Sequence, residues 1–139
     1  ELQQAAAVFA NVPDLYFVYG DIRGNLFKEA SFDAVVFAAS IQYFPTLQAI
    51  IPAARELLKL DGEIHILDSP FYRRQELPAA KNRTQEYFRS IGFEKMADHY
   101  FHHSLEELQQ VKHRVLYNPS SAKYFFAKNK NPFPWICIT

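Results

Sequence analysis

The sequence predicts an α/β fold of the doubly wound class, and three segments carry that reading. Residues 32–39 (FDAVVFAA) form a short apolar run without polar alternation, the pattern of a strand covered on both faces. Residues 63–68 (EIHILD) form another strand. Between them Leu47, Ile50, Ile51, Ala54, Leu57 and Leu58 recur at spacings of three and four, the period of a helix with one apolar face. Strand, crossover helix and strand make the parallel unit of the α/β class.

The remaining elements follow in order. Residues 2–11 place Leu2, Ala5, Ala6 and Phe9 on one helical face, and Asn11 with Pro13 supplies a stop signal. Residues 15–22 (LYFVYGDI) are an apolar and aromatic run, too short for a helix and closed by Gly20-Asp21, which predicts a buried strand; 23–31 is loop. Thr46 is placed to cap the central helix. Pro52 inside it predicts a kink or a start near Ile51, because proline lacks an amide donor and crowds the preceding turn. Asp61-Gly62 is expected to end the helix, with Gly62 as a left-handed cap.

Ser69-Pro70 stops the strand at 63–68. Residues 78–91 predict a helix with Ala80, Tyr87, Phe88 and Ile91 on one side, closed by Gly92. Residues 93–102 read as a fourth strand, and Ser104-x-x-Glu107 as a capping box opening a helix through about Val111. Residues 118–134 are turn-rich, and 135–139 (WICIT) read as a last strand. The whole of 1–139 is expected to be a single domain.

Composition narrows the function. In 139 residues, 15 Lys+Arg balance 15 Asp+Glu, so no cationic surface for nonspecific nucleic-acid binding or acidic lipid is expected. Partners are expected to be small or neutral. The single cysteine, Cys137, excludes an intramolecular disulfide and fits a reducing compartment, with the cytoplasm as the expected location. No apolar run approaches the roughly 20 residues of a membrane span. The glycines, Gly20, Gly24, Gly62 and Gly92, form neither a GxGxxG turn nor a phosphate loop. The chain starts at Glu1 without an initiator methionine or leader, which reads as a cut inside a longer gene product.

Gly20-Asp21, FDAVVFAASIQYF (32–44) and RELLKLDGEIHILDSPFY (55–72) stand in an order that resembles the second half of a class I S-adenosylmethionine-dependent methyltransferase, lacking its glycine-rich first motif. The family's Leu-Lys-Pro-Gly-Gly is here Leu58-Lys59-Leu60-Asp61-Gly62, without the proline and one glycine. The resemblance implies a partial Rossmann-like sheet, mostly parallel with an antiparallel last strand. It implies S-adenosylmethionine as cofactor: Asp21 and the amide of Ile22 at the adenine, and Phe37, Ala38 and Ala39 near the methionine moiety. Tyr43, Ser69 and Tyr72 then fall at the pocket for a small-molecule acceptor, and Tyr43 or Phe44 could face the sulfonium by cation–π attraction. No dedicated catalytic residue is expected, since methyl transfer rests on alignment.

Plainer roles stand beside these. Asp21 serves equally as a strand-ending turn residue, Phe37 and Tyr43 as core aromatics, and Ser69-Pro70 as a strand terminator. His99, His102 and His103 invite a metal reading, but on a strand His102 points away from the other two and no thiolate is near, so no metal is expected. His65 reads as a satisfied core histidine, Cys137 as an inert buried thiol, Arg73 and Arg74 as solvated, and Lys123, Lys128 and Lys130 as a charged loop. The alternative to an enzyme is a noncatalytic methyltransferase-fold remnant acting in protein association, as a homodimer through the sheet edge at 32–39.

Overall fold

The two apolar runs lie side by side. In the computed structural model, which describes residues 2–124 and 130–139, β1 (Phe32–Ala38) pairs in parallel with β2 (Leu58–Leu67). The connection between them contains a one-turn 3-10 helix, Ile41–Tyr43, and α2 (Leu47–Leu57); a short α1 (Leu2–Val8) precedes β1. After β2 come α3 (Leu77–Ser90), a 3-10 stretch Glu94–His99, α4 (Leu105–Leu108), β3 (His113–Tyr117) and β4 (Trp135–Ile138). The sheet order is β1-β2-β4-β3, and β4 runs antiparallel to both of its neighbours. Lys128 lies outside the described residues.

Alternation along the strands builds the core. Phe37 of β1, Ile64 and Ile66 of β2, and Ile136 and Ile138 of β4 are buried with Leu47, Ile50, Ile51 and Ala54 of α2. Each fully buried aliphatic side chain contributes about 1.5–3 kcal/mol, so this contact between α2 and the sheet is a main source of stability. Thr46 caps α2 as expected, its Oγ1 accepting from the amide of Ala49 at 3.1 Å. Gly92 adopts φ +79° behind α3, with its amide bonded to the carbonyl of Arg89.

Several expectations are corrected. Residues 15–19 have no regular structure, and Tyr16 and Tyr19 are 82% and 92% exposed. A strand exists only through a partner's ladder, and among the described residues none pairs with this run. Pro52 does not interrupt α2, which starts at Leu47; the carbonyl it leaves unpaired belongs to exposed Gln48, where water can serve it. Asp61 and Gly62 lie inside β2. The helix ends at Leu57, and the register slips so that Phe32 faces Leu58 while Ala34 faces Glu63. This bulge brings the Gly62 position so close to Leu58 that an added Cβ would stand 2.9 Å from its Cβ.

Residues 94–99 form 3-10 turns rather than a strand. β3 was not anticipated; it lies where the capping-box helix was expected to have just ended. That helix is a single turn, and only half of its box forms: Ser104 Oγ accepts from the amide of Glu107 at 3.0 Å, while the Glu107 carboxylate is used elsewhere.

His65 is satisfied but faces away from the core. Trp135 Nε1 donates to its Nδ1 at 3.0 Å, and it shares that side of the sheet with Glu63 and the buried free thiol of Cys137. Ligand atoms of these three lie within 4.8 Å of one another, a spacing that would suit a metal ion. The hydrogen bonds argue otherwise. An indole only donates, so the His65 proton sits on Nε2, facing Glu63 at 3.5 Å. Arg114 already binds Glu63 at 2.6 Å and approaches the Cys137 sulfur at 3.6 Å, supplying the local positive charge.

Candidate functional site at the carboxyl ends of the parallel strands

β1 and β2 end together, with Ala38 opposite Leu67. The next residue on each, Ala39 and Asp68, has a left-handed backbone, φ +47° and +51°. Non-glycine residues there cost of order 1–2 kcal/mol. Such strain marks sites where the backbone is held for a purpose. Asp14 and Ala30 share this conformation elsewhere, so what makes this rim the candidate site is the place of the pair, at adjacent carboxyl ends of parallel strands, where open α/β sheets bind ligands.

The loops leaving this rim are tied together by Gln42. Its Nε2 donates to the carbonyl of Ala39 at 2.6 Å, and its Oε1 accepts from Ser69 Oγ at 3.3 Å. Ser69 is wholly buried, and its one hydroxyl proton is shared between Gln42 Oε1 and the carbonyl of Leu67 at 3.0 Å, which ties the two loops together. A third segment stitches across both: the amide of Phe101 bonds the carbonyl of Gln42, the amide of Tyr72 that of His103, and the amide of Leu105 that of Tyr72. His103, buried, places Nε2 at 3.0 Å from the carbonyl of Ile41 and Nδ1 at 3.1 Å from Glu107.

This stitching gathers aromatic rings. Tyr43, half exposed, meets Tyr100 edge-on at 5.9 Å; the rings of Tyr100 and Tyr72 lie 5.2 and 5.6 Å from that of His102. Tyr43 and Tyr72, 29 residues apart in sequence, thus converge on Tyr100 and His102. Of the sequence-predicted residues, Ala38 is exposed at the rim, Ala39 carries the strained backbone, and Phe37 is buried, packing edge-on against Phe44 at 5.7 Å.

Asp21 and Ile22 lie elsewhere. Asp21 accepts from the backbone amide and the guanidinium of Arg23, which hold its carboxyl down to about 2. Ile22 packs on the edge of the core, and the hollow it lines with Arg23 abuts Ala53, Glu56 and Leu57, the last turns of α2. Those turns lead into the start of β2, so this hollow lies at the amino-terminal rim, opposite Ala38 and Ala39.

Tyr100, His102 and Thr84 were not anticipated as site residues. His102 and His103 point apart, as neighbours on extended backbone do: His102 turns to α3 and His103 enters the core, while His99, in the 3-10 stretch, stays exposed. The repeated aromatic and imidazole side chains at 99–103 were the available signal.

No protein-family model matches the chain, and no curated protein matches it in sequence. Solved structures do match in shape. The YcgJ protein of Bacillus subtilis aligns at TM-score 0.60 and 16% identity, covering 97% of this chain and 72% of that one. An S-adenosylmethionine-dependent methyltransferase of Thermotoga maritima aligns at TM-score 0.55 and 14% identity, over 99% of this chain and 69% of that one. The chain has the class I methyltransferase fold. A chain of the complex between the Haloferax volcanii Trm112 methyltransferase activator and a methyltransferase aligns at TM-score 0.59 and 14% identity, covering 98% and 66%. The crevice at Ala39 and Asp68 lies at the carboxyl ends of the parallel strands β1 and β2. Among the described residues, no helix is long and apolar enough to cross a membrane.

Proposed function

We propose that this chain forms the carboxyl-side part of a longer enzyme that transfers a methyl group from S-adenosylmethionine to a small-molecule acceptor. The paired left-handed residues Ala39 and Asp68, ending adjacent parallel strands, carry the reading. The residues at this rim fit the cofactor's methionine part. Ala38 is exposed and small, and Ala39 turns its backbone sharply, so a polar ligand can approach main-chain groups closely. Phe37 fixes the end of β1 from below by its contact with Phe44.

When bound, S-adenosylmethionine supplies an electrophilic methyl group on a sulfonium. The chain's part is positioning, which can account for most of the acceleration in an in-line displacement. Tyr43 and Tyr72 form the acceptor wall, and Ser69 holds their two loops in register through Gln42. The exposed ring of Tyr43 also offers a negative face to a cation.

Asp21 and Ile22 enter the proposal as the adenine contacts. Their turn reaches the carboxyl rim only when further strands stand beside β1 and draw the apolar run at 15–19 into the sheet. The Asp21 carboxylate, though paired, retains lone pairs for an amino group.

Calorimetric titration of S-adenosylhomocysteine into this chain and into its longest natural form tests the reading. Binding by the longer form is expected, with weak or no binding by residues 1–139. Absence of binding by both would sink it. Tyr72→Ala in the longer form is then expected to lower turnover at least tenfold while leaving S-adenosylhomocysteine affinity unchanged.

A second reading, a noncatalytic scaffold in protein association, is favoured by one observation. The outer edge of β1 is unpaired among the described residues, and its outward side chains Ala34, Val36 and Ala38 are exposed. An open apolar edge accepts another strand, including that of a second copy. Sedimentation with and without S-adenosylhomocysteine separates the readings: a scaffold self-associates and ignores the ligand.

A further inference from the structure

His102 is held on one side only. Its Nε2 lies 2.9 Å from Thr84 Oγ1 of α3, while its Nδ1 is shielded from solvent and has no hydrogen-bond partner among the described residues. Neither tautomer cures this. If the Thr84 hydroxyl donates to Nε2, the Nδ1 proton lacks an acceptor; if Nε2 donates, the Nδ1 lone pair lacks a donor. A buried polar atom left unpaired costs about 1–3 kcal/mol, recoverable by any group that reaches it.

Beside the ring is an open hollow of about 290 Å3, lined by Tyr100, Phe101, His102 and Pro45 together with the polar Lys81, Gln85 and Asp98. A cavity of roughly 150 Å3 already takes benzene, so this one accommodates a substituted single ring. The Tyr72 ring lies 5.6 Å from the imidazole. Burial, and then the cations Lys81 and Arg83, lower the His102 pKa and keep the ring neutral, which suits hydrogen bonding to an uncharged partner. Among simple uncharged groups, a hydroxyl answers both tautomers, because it donates and accepts. Flat walls favour a flat ligand.

We propose that this hollow binds small aromatic hydroxy compounds, with the ring against Tyr100 and Phe101 and the hydroxyl on His102 Nδ1. Because Nδ1 is shielded, a ligand reaches it only once the imidazole or a neighbouring ring turns, and a turn of the imidazole exchanges the Thr84 bond for the ligand's. That the bound compound is the methyl acceptor rests on the methyltransferase reading; the pocket does not.

The test uses the chain labelled with 15N-histidine, phenol as probe and toluene as the hydroxyl-free control. Phenol is expected to shift the His102 ring nitrogens saturably, with toluene at least tenfold weaker, and His102→Phe to bring phenol down to the toluene level. Phenol leaving the His102 signals unmoved, or toluene binding equally, would overturn the proposal, and this comparison stands on the wild-type chain alone. S-adenosylhomocysteine binding is scored separately. A longer form that takes phenol but no S-adenosylhomocysteine keeps the pocket and loses the methyltransferase reading; the reverse result loses the pocket alone.

Discussion

The Glu107 carboxylate accepts the amide of Leu47 at 2.7 Å, across 60 residues of sequence. Leu47 opens α2, so an acidic side chain from another segment satisfies a free amide at the positive end of the helix that covers the sheet. The same carboxylate holds His103, which in turn holds the carbonyl of Ile41. Glu107→Ala therefore releases a helix start and a buried ring together. A loss of about 2–3 kcal/mol is expected, against about 1 kcal/mol for Ser104→Ala, which removes only the cap of α4. Urea midpoints at unchanged slope measure both; equal losses would show that Glu107 serves only its own helix.

Gly62, inside β2, and Gly92, just behind α3, behave differently under substitution. At Gly62 a new Cβ meets Leu58 Cβ and Cδ2 at 2.9 Å, so Gly62→Ala is expected to cost about 1–3 kcal/mol through overpacking. At Gly92 nothing lies within 4 Å, but φ is +79°, so Gly92→Ala costs about 1–2 kcal/mol of backbone strain. A stabilising shift in the melting temperature of either variant would contradict the geometry.

His102 makes stability depend on pH. Burial, Lys81, Arg83 and His103 lower its pKa from 6.5, so below that value the unfolded chain binds the proton more readily than the folded one. Stability then falls as the pH drops through about 6.5 toward the lowered folded pKa, and is recovered on raising it. In His102→Gln that part of the pH profile is expected to flatten, as followed by thermal melts from pH 5 to about 8.

Asp21 acts in the acid range in the same direction, although here the form that folding favours is the ionised one. Arg23 favours its ionised form, lowering the pKa from 3.8 to about 2, so its contribution is present above 3.8 and is lost as the pH falls toward 2. Both side chains are half exposed, so salt weakens the effect. Carboxyl NMR titration is expected to show the midpoint of Asp21 moving up in high salt, and moving further up in Arg23→Ala.

The open edge of β1 gives a test of association. Val36 is 52% exposed on the outward face, and a lysine there places a charge where another strand or layer would dock. Val36→Lys is expected to abolish any self-association seen by sedimentation while leaving the melting temperature of the single chain within a few degrees. Unchanged association would place the interface elsewhere.

Local chemistry made much of the fold legible. Thr46, the three- and four-residue spacing through Leu57, and the unalternated run at 32–39 specify their elements through short-range forces, and each formed. The run at 15–22 had the same composition but no strand beside it, so its propensity produced nothing. Gly62 carried a helix-stop signature that the bulge in β2 overrode, because pairing with β1 took the chain up at Leu58.

The sequence by itself determined the class of the molecule: apolar period and cap chemistry act within a few residues, and they yield strand, helix and strand in parallel order. The methyltransferase resemblance, rather than apolar period, named Ala39, Tyr43, Ser69 and Tyr72, which follow the strand ends. Only the tertiary structure decided that Tyr43 and Tyr72 meet at Tyr100 and His102, that Glu107 serves α2, and that Asp21 faces Arg23 at the other rim. Those are long-range pairings or the outcome of a missing neighbour, set by which surfaces are left to satisfy one another once the sheet has formed.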